Sequence, residues 1–381
     1  MTVFSSLFIY FLLAVSVLYV LVFSFLIVGW IRTKEYFPAQ KNNFSNTKIS
    51  IIIPVRNEEK NISNCLESLS QQDYPKELTE IIVIDDLSED ATESIAKAVL
   101  EKLFFEKFIL LNSKKSGKKN AITFGIEKAS GTLIITTDAD CTFHKEWLSA
   151  IVSFYEKEQA QLIMAPVVFT NEKSIFEKIQ SLEFSGLVAT AGASAYFNFP
   201  LMCNGANLAY EKRIFEEVNG FEGNEKIDSG DDLFLMEKIR KVKSAKIKFL
   251  KSAKALVTTS ALSDIKSFIS QRKRWASKTV HLKNKVVLFI GAIIWLMNFL
   301  VLLTGCLIVY NSRFVALFFF LFIIKGIIDF LFLFLAVSFF KKRNYIAYAL
   351  LLQVLYPIYV IYVSVFSRLG KVKWKNRVIS K

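Results

Sequence analysis

Paired carboxylates are the groups in this sequence whose type and spacing best suit chemistry. Three pairs stand out: Asp85 with Asp86, Asp138 with Asp140, and Asp231 with Asp232. An Asp-x-Asp pair can bind Mg²⁺ or Mn²⁺ and leave positions open for the phosphates of a substrate. The alternative interpretation is that these acids cap helices or close turns, which is the commoner role of an isolated pair.

Basic, amide and aromatic side chains form a second set suited to a phosphorylated sugar. Lys118 follows Gly117 at the predicted start of a helix, where a lysine and backbone N–H groups can meet a phosphate. Gln271, Arg274 and Trp275 combine an amide, a guanidinium that binds pyrophosphate through paired bonds, and a face for a sugar ring. The alternatives are a solvated loop for Lys118 and a basic membrane flank for the other three residues.

Alternating strands and helices are predicted to position the acids. Apolar runs end at Val55, Ile84 and Thr137, and the polar turns after the first two lead into predicted helices. This alternation predicts an α/β fold with a mostly parallel, doubly wound sheet. Because ligands bind beyond the carboxyl ends of such strands, we expect the acids after the second and third runs to face the binding crevice.

Composition divides the chain between lipid and water. The 381 residues are 53% apolar and carry a formal net charge of +14. Uncharged runs cover 1–31 and most of 286–366, and a span needs about 20 such residues. We therefore expect one N-terminal transmembrane helix and about three C-terminal ones, with an α/β domain at 32–285 and a basic tail at 367–381. The uncharged segment 184–210 is either an interfacial helix against the bilayer or core.

Lysine and arginine near the spans predict the orientation. Arg32 and Lys34 follow the first span, and Arg272, Lys273 and Arg274 precede the second. They place the N-terminus outside and the α/β domain in the cytoplasm of an integral protein of the cell membrane, plasma or inner. The basic tail conflicts with this rule because three further spans would leave it outside. Either one C-terminal segment does not cross completely, or the tail is an exception.

Two charged residues lie inside the third predicted span. Lys325 and Asp329 are about one helical turn apart. An ion pair along one helix would reduce the cost of burying both charges in lipid. The alternative is a polar contact that lines a translocation path.

Other enzyme classes find little support in the sequence. It contains no G-x-G-x-x-G, Walker, H-E-x-x-H or G-x-S-x-G pattern. Only two histidines are present, so the sequence gives little support to catalysis by histidine. Much of the excess positive charge flanks the spans, where anionic headgroups account for it, and we expect no nucleic-acid partner.

Taken together, the residues resemble the membrane-embedded members of glycosyltransferase family 2, which include cellulose, chitin, hyaluronan and poly-N-acetylglucosamine synthases. The resemblance runs from about Ile49 to Trp275. Five motifs in family order carry it: P-x-x-N-E at 54–58, D-D-x-S-x-D at 85–90, D-x-D at 138–140, E-D-x-x-L with Asp replacing Glu at 231–235, and Q-x-x-R-W at 271–275. Lys118 resembles the lysine of the family's G-K-A-G-A-L-N segment, from which Lys119, Asn120 and Thr123 depart.

The resemblance implies a GT-A-like, Rossmann-type domain and a role for each motif. The residues implied to bind the donor nucleotide are Pro54, Asn57, Glu58, Asp85, Asp86, Lys118, Asp138 and Arg274. Those implied to bind Mg²⁺ or Mn²⁺ are Asp138 and Asp140. Asp232 is the implied general base, with Asp231 beside it, and the implied acceptor-binding residues are Gln271 and Trp275.

The implied reaction is inverting, metal-dependent transfer from a nucleoside diphosphate sugar, expected to be a UDP-sugar, to a glycan or lipid-linked hydroxyl. The hydroxyl would lose its proton to Asp232 as it attacks the anomeric carbon. The metal and Arg274 would stabilise charge on the departing β-phosphate. The product is either a polysaccharide made processively or a single glycolipid, as in ceramide glucosyltransferase-like enzymes. An inactive glycan-binding or export subunit is the remaining alternative.

Overall fold

A computed structural model describes most of the chain as two compact units. The described residues are 3–38, 46–103, 107–113, 115–224, 230–279, 284–367, 372–374 and 377–379, so most of the predicted basic tail lies outside them. The helical unit comprises Met1–Arg32, Lys173–Ala189 and Leu262–Val372. The α/β unit comprises Thr33–Glu172, Thr190–Ala261 and Lys373–Lys381.

Ten strands of the described part of the α/β unit form two sheets. They are β1 (Ile49–Val55), β2 (Thr79–Asp85), β3 (Phe108–Asn112), β4 (Leu133–Thr136), β5 (Thr142–Phe143), β6 (Leu162–Met164), β7 (Val167–Thr170), β8 (Leu208–Glu211), β9 (Ile247–Phe249) and β10 (Val257–Ser260). The larger sheet has the order β3-β2-β1-β4-β8-β6-β9, and the smaller has the order β5-β10-β7. A further pair, β11 (Val372–Trp374) and β12 (Arg377–Ile379), forms a two-stranded sheet.

Twelve α-helices lie within the residues that the structure describes. Those of the α/β unit are α2 (Ile62–Ser70), α3 (Thr92–Lys102), α4 (Lys118–Lys128), α5 (Trp147–Glu158), α7 (Lys212–Glu217) and α8 (Asp231–Arg240). Those of the helical unit are α1 (Val3–Arg32), α9 (Ile265–Thr279), α10 (Lys285–Leu307), α11 (Arg313–Phe339) and α12 (Ala349–Phe366). Helix α6 (Ile175–Tyr196) belongs to the helical unit up to Ala189.

The central strands bring the predicted acids to one edge of the larger sheet. β1 pairs in parallel with β2, from Ile49 opposite Thr79 to Val55 opposite Asp85, and β4 pairs in parallel on the other side of β1. Every residue of β1 except Pro54 is buried, as expected for a strand covered on both faces. The carboxyl ends of these strands therefore share an edge, and the predicted mostly parallel α/β fold is confirmed.

The sequence predicted β1, β2 and β4, and the remaining strands of the two sheets were not predicted. β3 is a five-residue strand whose first and last residues, Phe108 and Asn112, are exposed, so its apolar run at 108–111 is short. β8 lies antiparallel between β4 and β6. It supplies the end of the uncharged segment 184–210, which is therefore part of the sheet core from Leu208 onward.

Four helices in the described residues are long and apolar enough to cross a membrane: Ser6–Arg32, Lys285–Leu307, Arg313–Phe339 and Arg343–Phe366. One is N-terminal and three are C-terminal, as the sequence predicts. The expected ion pair is present on α11, with Lys325 Nζ 2.6 Å from Asp329 Oδ2. Tyr19 of α1 donates a second hydrogen bond to Asp329 Oδ1 at 2.6 Å, so the carboxylate also joins two helices.

The last helix packs against the amphipathic helix α9. The C-terminal ends of α1 and α11 meet where the rings of Trp30 and Phe339 lie 5.6 Å apart. Helix α12 begins near that end of α11, since Leu352 shares an apolar cluster with Val337. Its last turns contact α9, where the Lys273 ammonium lies 5.3 Å from the Phe366 ring.

Candidate active site

The loops after β1 and β2 are joined by a buried arginine. Arg56 is 3% exposed and donates hydrogen bonds to the carbonyls of Asp86, at 2.9 Å, and Leu87. It also pairs with Glu89 at 2.7 Å. Asn57, which has a left-handed φ of 50°, accepts a bond from the Glu89 N–H at 2.8 Å. The two loops therefore act as one rigid rim at the carboxyl edge of the sheet.

The first acid pair is buried in this rim. Both oxygens of Asp85 accept bonds from Ser88, at 2.5 Å from Oγ and 2.9 Å from the backbone N–H. Asp86 accepts a 2.9 Å bond from the N–H of Gly117, whose φ of +114° favours glycine. The pair thus shapes the turn and ties it to the start of α4. The other predicted nucleotide contacts on the rim, Pro54, Asn57 and Glu58, are partly exposed.

A lysine joins the second and third acid pairs. The Nζ of Lys118 lies 2.6 Å from Asp138 Oδ1 and 3.5 Å from Asp231 Oδ2. These residues come from the start of α4, the loop after β4 and the start of α8. Burial alone would lower the pKa of Lys118, but Asp138 and Asp231 outweigh it and hold that pKa above its ordinary value. The lysine is therefore a permanent cation at the centre of the acids.

A glycine that sequence reasoning missed lies beneath the third pair. The Gly205 N–H donates to Asp232 Oδ2 at 3.2 Å, and the Leu233 N–H donates to Asp232 Oδ1 at 2.7 Å. A Cβ on Gly205 would lie 3.1 Å from Asp231 Oδ2 and 3.7 Å from the Lys118 Nζ. The available signal was the Asn204-Gly205 turn pair before β8. The close approach of the backbone to both acids leaves little room for a side chain there.

Asp140 lies at the exposed end of the D-x-D segment. Its Oδ2 accepts a 3.1 Å bond from the hydroxyl of Thr259, a residue of β10 that the motif search did not indicate. Burial and the carboxylates of Asp140 and Asp138 raise the pKa of the neighbouring Cys141 thiol. The thiol is therefore neutral at physiological pH and unsuited to act as a thiolate ligand or nucleophile.

The carboxylates suit a hard divalent cation. Asp138 and Asp140 offer oxygen donors of the kind that Mg²⁺ and Mn²⁺ prefer. Within the described ranges, no three Asp, Glu, His or Cys side chains converge as a metal cage. Such ions are commonly held by one or two carboxylates together with substrate phosphates, so a two-carboxylate site fits this chemistry.

The Q-x-x-R-W residues lie on α9 of the helical unit. Gln271, Arg274 and Trp275 are spaced i, i+3 and i+4, so they share one face of this helix. The amide oxygen of Gln271 accepts a 3.1 Å bond from Arg272. The ring of Trp275 lies 6.2 Å from that of Phe184 on α6. The structure thus brings the acids and Lys118 together in the α/β unit, and these three residues together in the helical unit.

Comparison with known proteins finds that part of the chain is similar to a known family. Residues 50–218 match the model of glycosyl transferase family 2. Glycosyltransferase AglE of Haloferax volcanii is 36% identical over 122 residues, which are 32% of this chain and 40% of that protein. A second relative, from Methanococcus voltae, is 37% identical over 109 residues, which are 29% of this chain and 34% of that protein. Its name is dolichyl N-acetyl-alpha-D-glucosaminyl phosphate 3-beta-D-2,3-diacetamido-2,3-dideoxy-beta-D-glucuronosyltransferase. The chain thus spans less than half the length of these relatives.

A solved structure matches nearly the whole chain. Mannosyltransferase PcManGT from Pyrobaculum calidifontis, in complex with GDP-Man and Mn²⁺, has a TM-score of 0.60 and 16% sequence identity. The superposition covers 94% of this chain and 97% of that one. This likeness confirms the expected GT-A-like fold.

Proposed function

We propose that the chain, whose residues 50–218 form a glycosyl transferase family 2 domain, is a membrane glycosyltransferase. It moves a sugar from a nucleoside diphosphate sugar to a hydroxyl of a glycan or lipid-linked acceptor, with inversion at the anomeric carbon. The observation that carries the proposal is the cluster of Lys118, Asp138, Asp231 and Asp232 at the carboxyl edge of the sheet. Family resemblance and local geometry favour the same residues.

Asp232 is the proposed general base. Backbone N–H groups of Gly205 and Leu233 each bond one of its oxygens, which fixes the plane of the carboxylate. Further lone pairs on these oxygens can accept the proton of an attacking hydroxyl. Asp231 is paired with Lys118, so its proposed role is to hold that cation rather than to take the proton. Single displacement needs no covalent nucleophile.

The donor diphosphate is proposed to bind at the Lys118 and Asp138 side of the cluster. A bound Mg²⁺ or Mn²⁺ would offset the charge that develops on the leaving nucleotide. Lys118 is a partly buried, positively charged donor at the start of α4, which favours binding of phosphate oxygens. The rim built by Arg56, with Pro54, Asn57 and Glu58, and the adjoining pair Asp85 and Asp86, are proposed to contact the nucleoside.

The acceptor is proposed to bind at Gln271 and Trp275, with Arg274 on the leaving phosphates. The name of one compared protein includes a dolichyl-linked sugar phosphate, and that of another includes GDP-Man. Guanosine donors therefore belong in the tests beside the uridine donors that the family resemblance implies. We propose that the α/β unit is cytoplasmic and that the apolar helices hold the enzyme in the cell membrane. Processive polysaccharide synthesis and single transfer to a glycolipid remain the two product classes to separate.

The test uses the full chain in lipid nanodiscs with UDP-glucose, UDP-N-acetylglucosamine and GDP-mannose, each with Mg²⁺ or Mn²⁺. We expect nucleotide release and a sugar-bearing product by mass spectrometry, a ladder for a polymerase and a single mass increment for a glycolipid synthase. Asp232→Asn should abolish transfer and keep metal-dependent nucleotide binding. Glu101→Gln, on the exposed side of α3, is the control: it also removes one negative charge and should change neither transfer nor nucleotide binding. Equal loss of nucleotide binding in Asp232→Asn would argue against the base assignment.

A further inference from the structure

We propose that Arg272 and Glu183 form a positioning pair that fixes the acceptor-binding face of α9. Neither residue belongs to the fixed letters of the motifs, and neither is among the residues predicted from the sequence. The inference rests on the proposed function in that it assigns the acceptor to Gln271 and Trp275.

The pair is buried between three helices. Arg272 Nη2 lies 2.5 Å from Glu183 Oε2, and the two side chains are 2% and 8% exposed. The other oxygen of Glu183 accepts a 3.2 Å hydrogen bond from the hydroxyl of Tyr359. One carboxylate on α6 therefore fastens α9 and α12 at the same point.

The arginine contacts both acceptor-side residues directly. Its guanidinium carbon lies 4.2 Å from the ring centroid of Trp275 and 4.7 Å from that of Phe268. Its Nη1 donates to the amide oxygen of Gln271 at 3.1 Å. The planar fork thus stacks on the indole and orients the amide while Glu183 fixes its position. Lysine carries the same charge but has neither the plane nor the two donor nitrogens.

Stability alone gives a poor account of this pair. Removing two charges from water costs free energy that their attraction often does not recover, and apolar replacements are often neutral or better. The Nε–H of Arg272 is buried without a hydrogen-bond acceptor among the described residues, so the network is not fully satisfied. What the pair supplies is a single orientation for the guanidinium, and hence for the indole and amide that it touches.

The test compares Arg272→Lys and Glu183→Gln in the full chain in nanodiscs, using the donor and acceptor that the wild-type protein turns over. We expect both to raise the KM for the acceptor about tenfold and to leave the KM for the donor within about twofold, because misplacement of a binding group by less than 1 Å has effects of this size. Lys266→Gln, at the exposed start of α9, is the matched loss of charge and should change neither constant.

The outcomes separate a positioning role from a structural one. A purely structural pair would lower the folded fraction and the apparent kcat without moving the acceptor KM, and that result overturns the proposal. If the wild-type chain transfers no sugar from any donor, the proposed function fails instead. The geometry is then tested by the fluorescence emission of Trp275. This emission is obtained by subtracting the spectrum of the Trp275→Phe protein from that of the protein that keeps Trp275. A shift of this emission in Glu183→Gln supports the pair, and an unchanged emission in both variants overturns it.

Discussion

Replacing Gly205 by alanine tests the geometry of the acid cluster with the smallest available change. The new methyl carbon would lie 3.1 Å from Asp231 Oδ2 and 3.4 Å from the Cβ of Asp232. The first distance is tighter than an ordinary contact, so the Asp231 carboxylate has to move by a few tenths of an ångström. Because φ at Gly205 lies outside the left-handed range, the backbone tolerates alanine.

The expected effect is on rate rather than on folding. Misplacing reacting groups by 1 Å can cost about 100-fold, so a few tenths should lower kcat roughly three- to tenfold. This corresponds to about 0.6–1.4 kcal/mol of activation free energy. The free energy of unfolding should change by less than about 1 kcal/mol, because no buried group loses a partner.

The assay pairs nucleotide release under saturating donor with thermal unfolding in nanodiscs. Gly291→Ala is the control, since a Cβ there meets nothing within 4 Å among the described residues. Gly131→Ala is the contrasting variant, because its Cβ would lie 2.5 Å from the backbone nitrogen of Ser50, and it should fail to fold. Wild-type kcat in a fully folded Gly205→Ala protein would refute the reasoning, as would a loss explained entirely by a lower Tm.

Three other changes give separate readouts. Asp140→Ala should abolish Mn²⁺-dependent nucleotide binding in calorimetry, and unchanged affinity would remove it from the proposed ligands. Burial lowers the pKa of Lys251 from 10.5 to about 8. Between these two pH values the folded state therefore binds fewer protons than the unfolded state, so this residue's contribution to the free energy of unfolding rises with pH. When Tm is measured from pH 8 to pH 10.5, the Tm of the wild type should rise relative to that of Lys251→Met. Parallel Tm curves for the two proteins would contradict the pKa shift. The last turns of α12 contact α9, so we expect the tail to lie on the same side of the membrane as α9. In intact cells, a membrane-impermeant thiol reagent should label Ser312→Cys and should not label Lys381→Cys. Equal labelling of the two variants would place the tail outside.

Sequence reasoning located the acids because each follows or precedes a strongly patterned element. The buried residues of β1 and β2 form continuous apolar runs, and Asp85 and Asp138 stand directly at or after a strand end. The parallel sheet then follows from the alternation of strands and helices. Local pattern was sufficient here because the acids belong to the elements that define the fold.

Contacts between distant elements could not be obtained in the same way. Gly205 meets Asp231 only because β8 enters the sheet antiparallel beside β4, and no local pattern specifies that order. Glu183 is a lone acid beside an uncharged run, and its partner Arg272 is hidden within a basic cluster that resembles a membrane flank. Their pairing depends on tertiary packing, which a single sequence does not reveal.

The bond between Tyr19 and Asp329 bears on the order in which α1 and α11 come together. Asp329 already has an ion-pair partner on its own helix, Lys325, so its charge is paired without α1. The tyrosine lies 310 residues earlier in the chain, so α1 is synthesised long before α11. If both helices enter a membrane as proposed, α1 waits there as a single anchor while the α/β unit is translated. Docking of α1 on α11 is then a late step, in which the tyrosine hydroxyl meets a charge pair that has already formed.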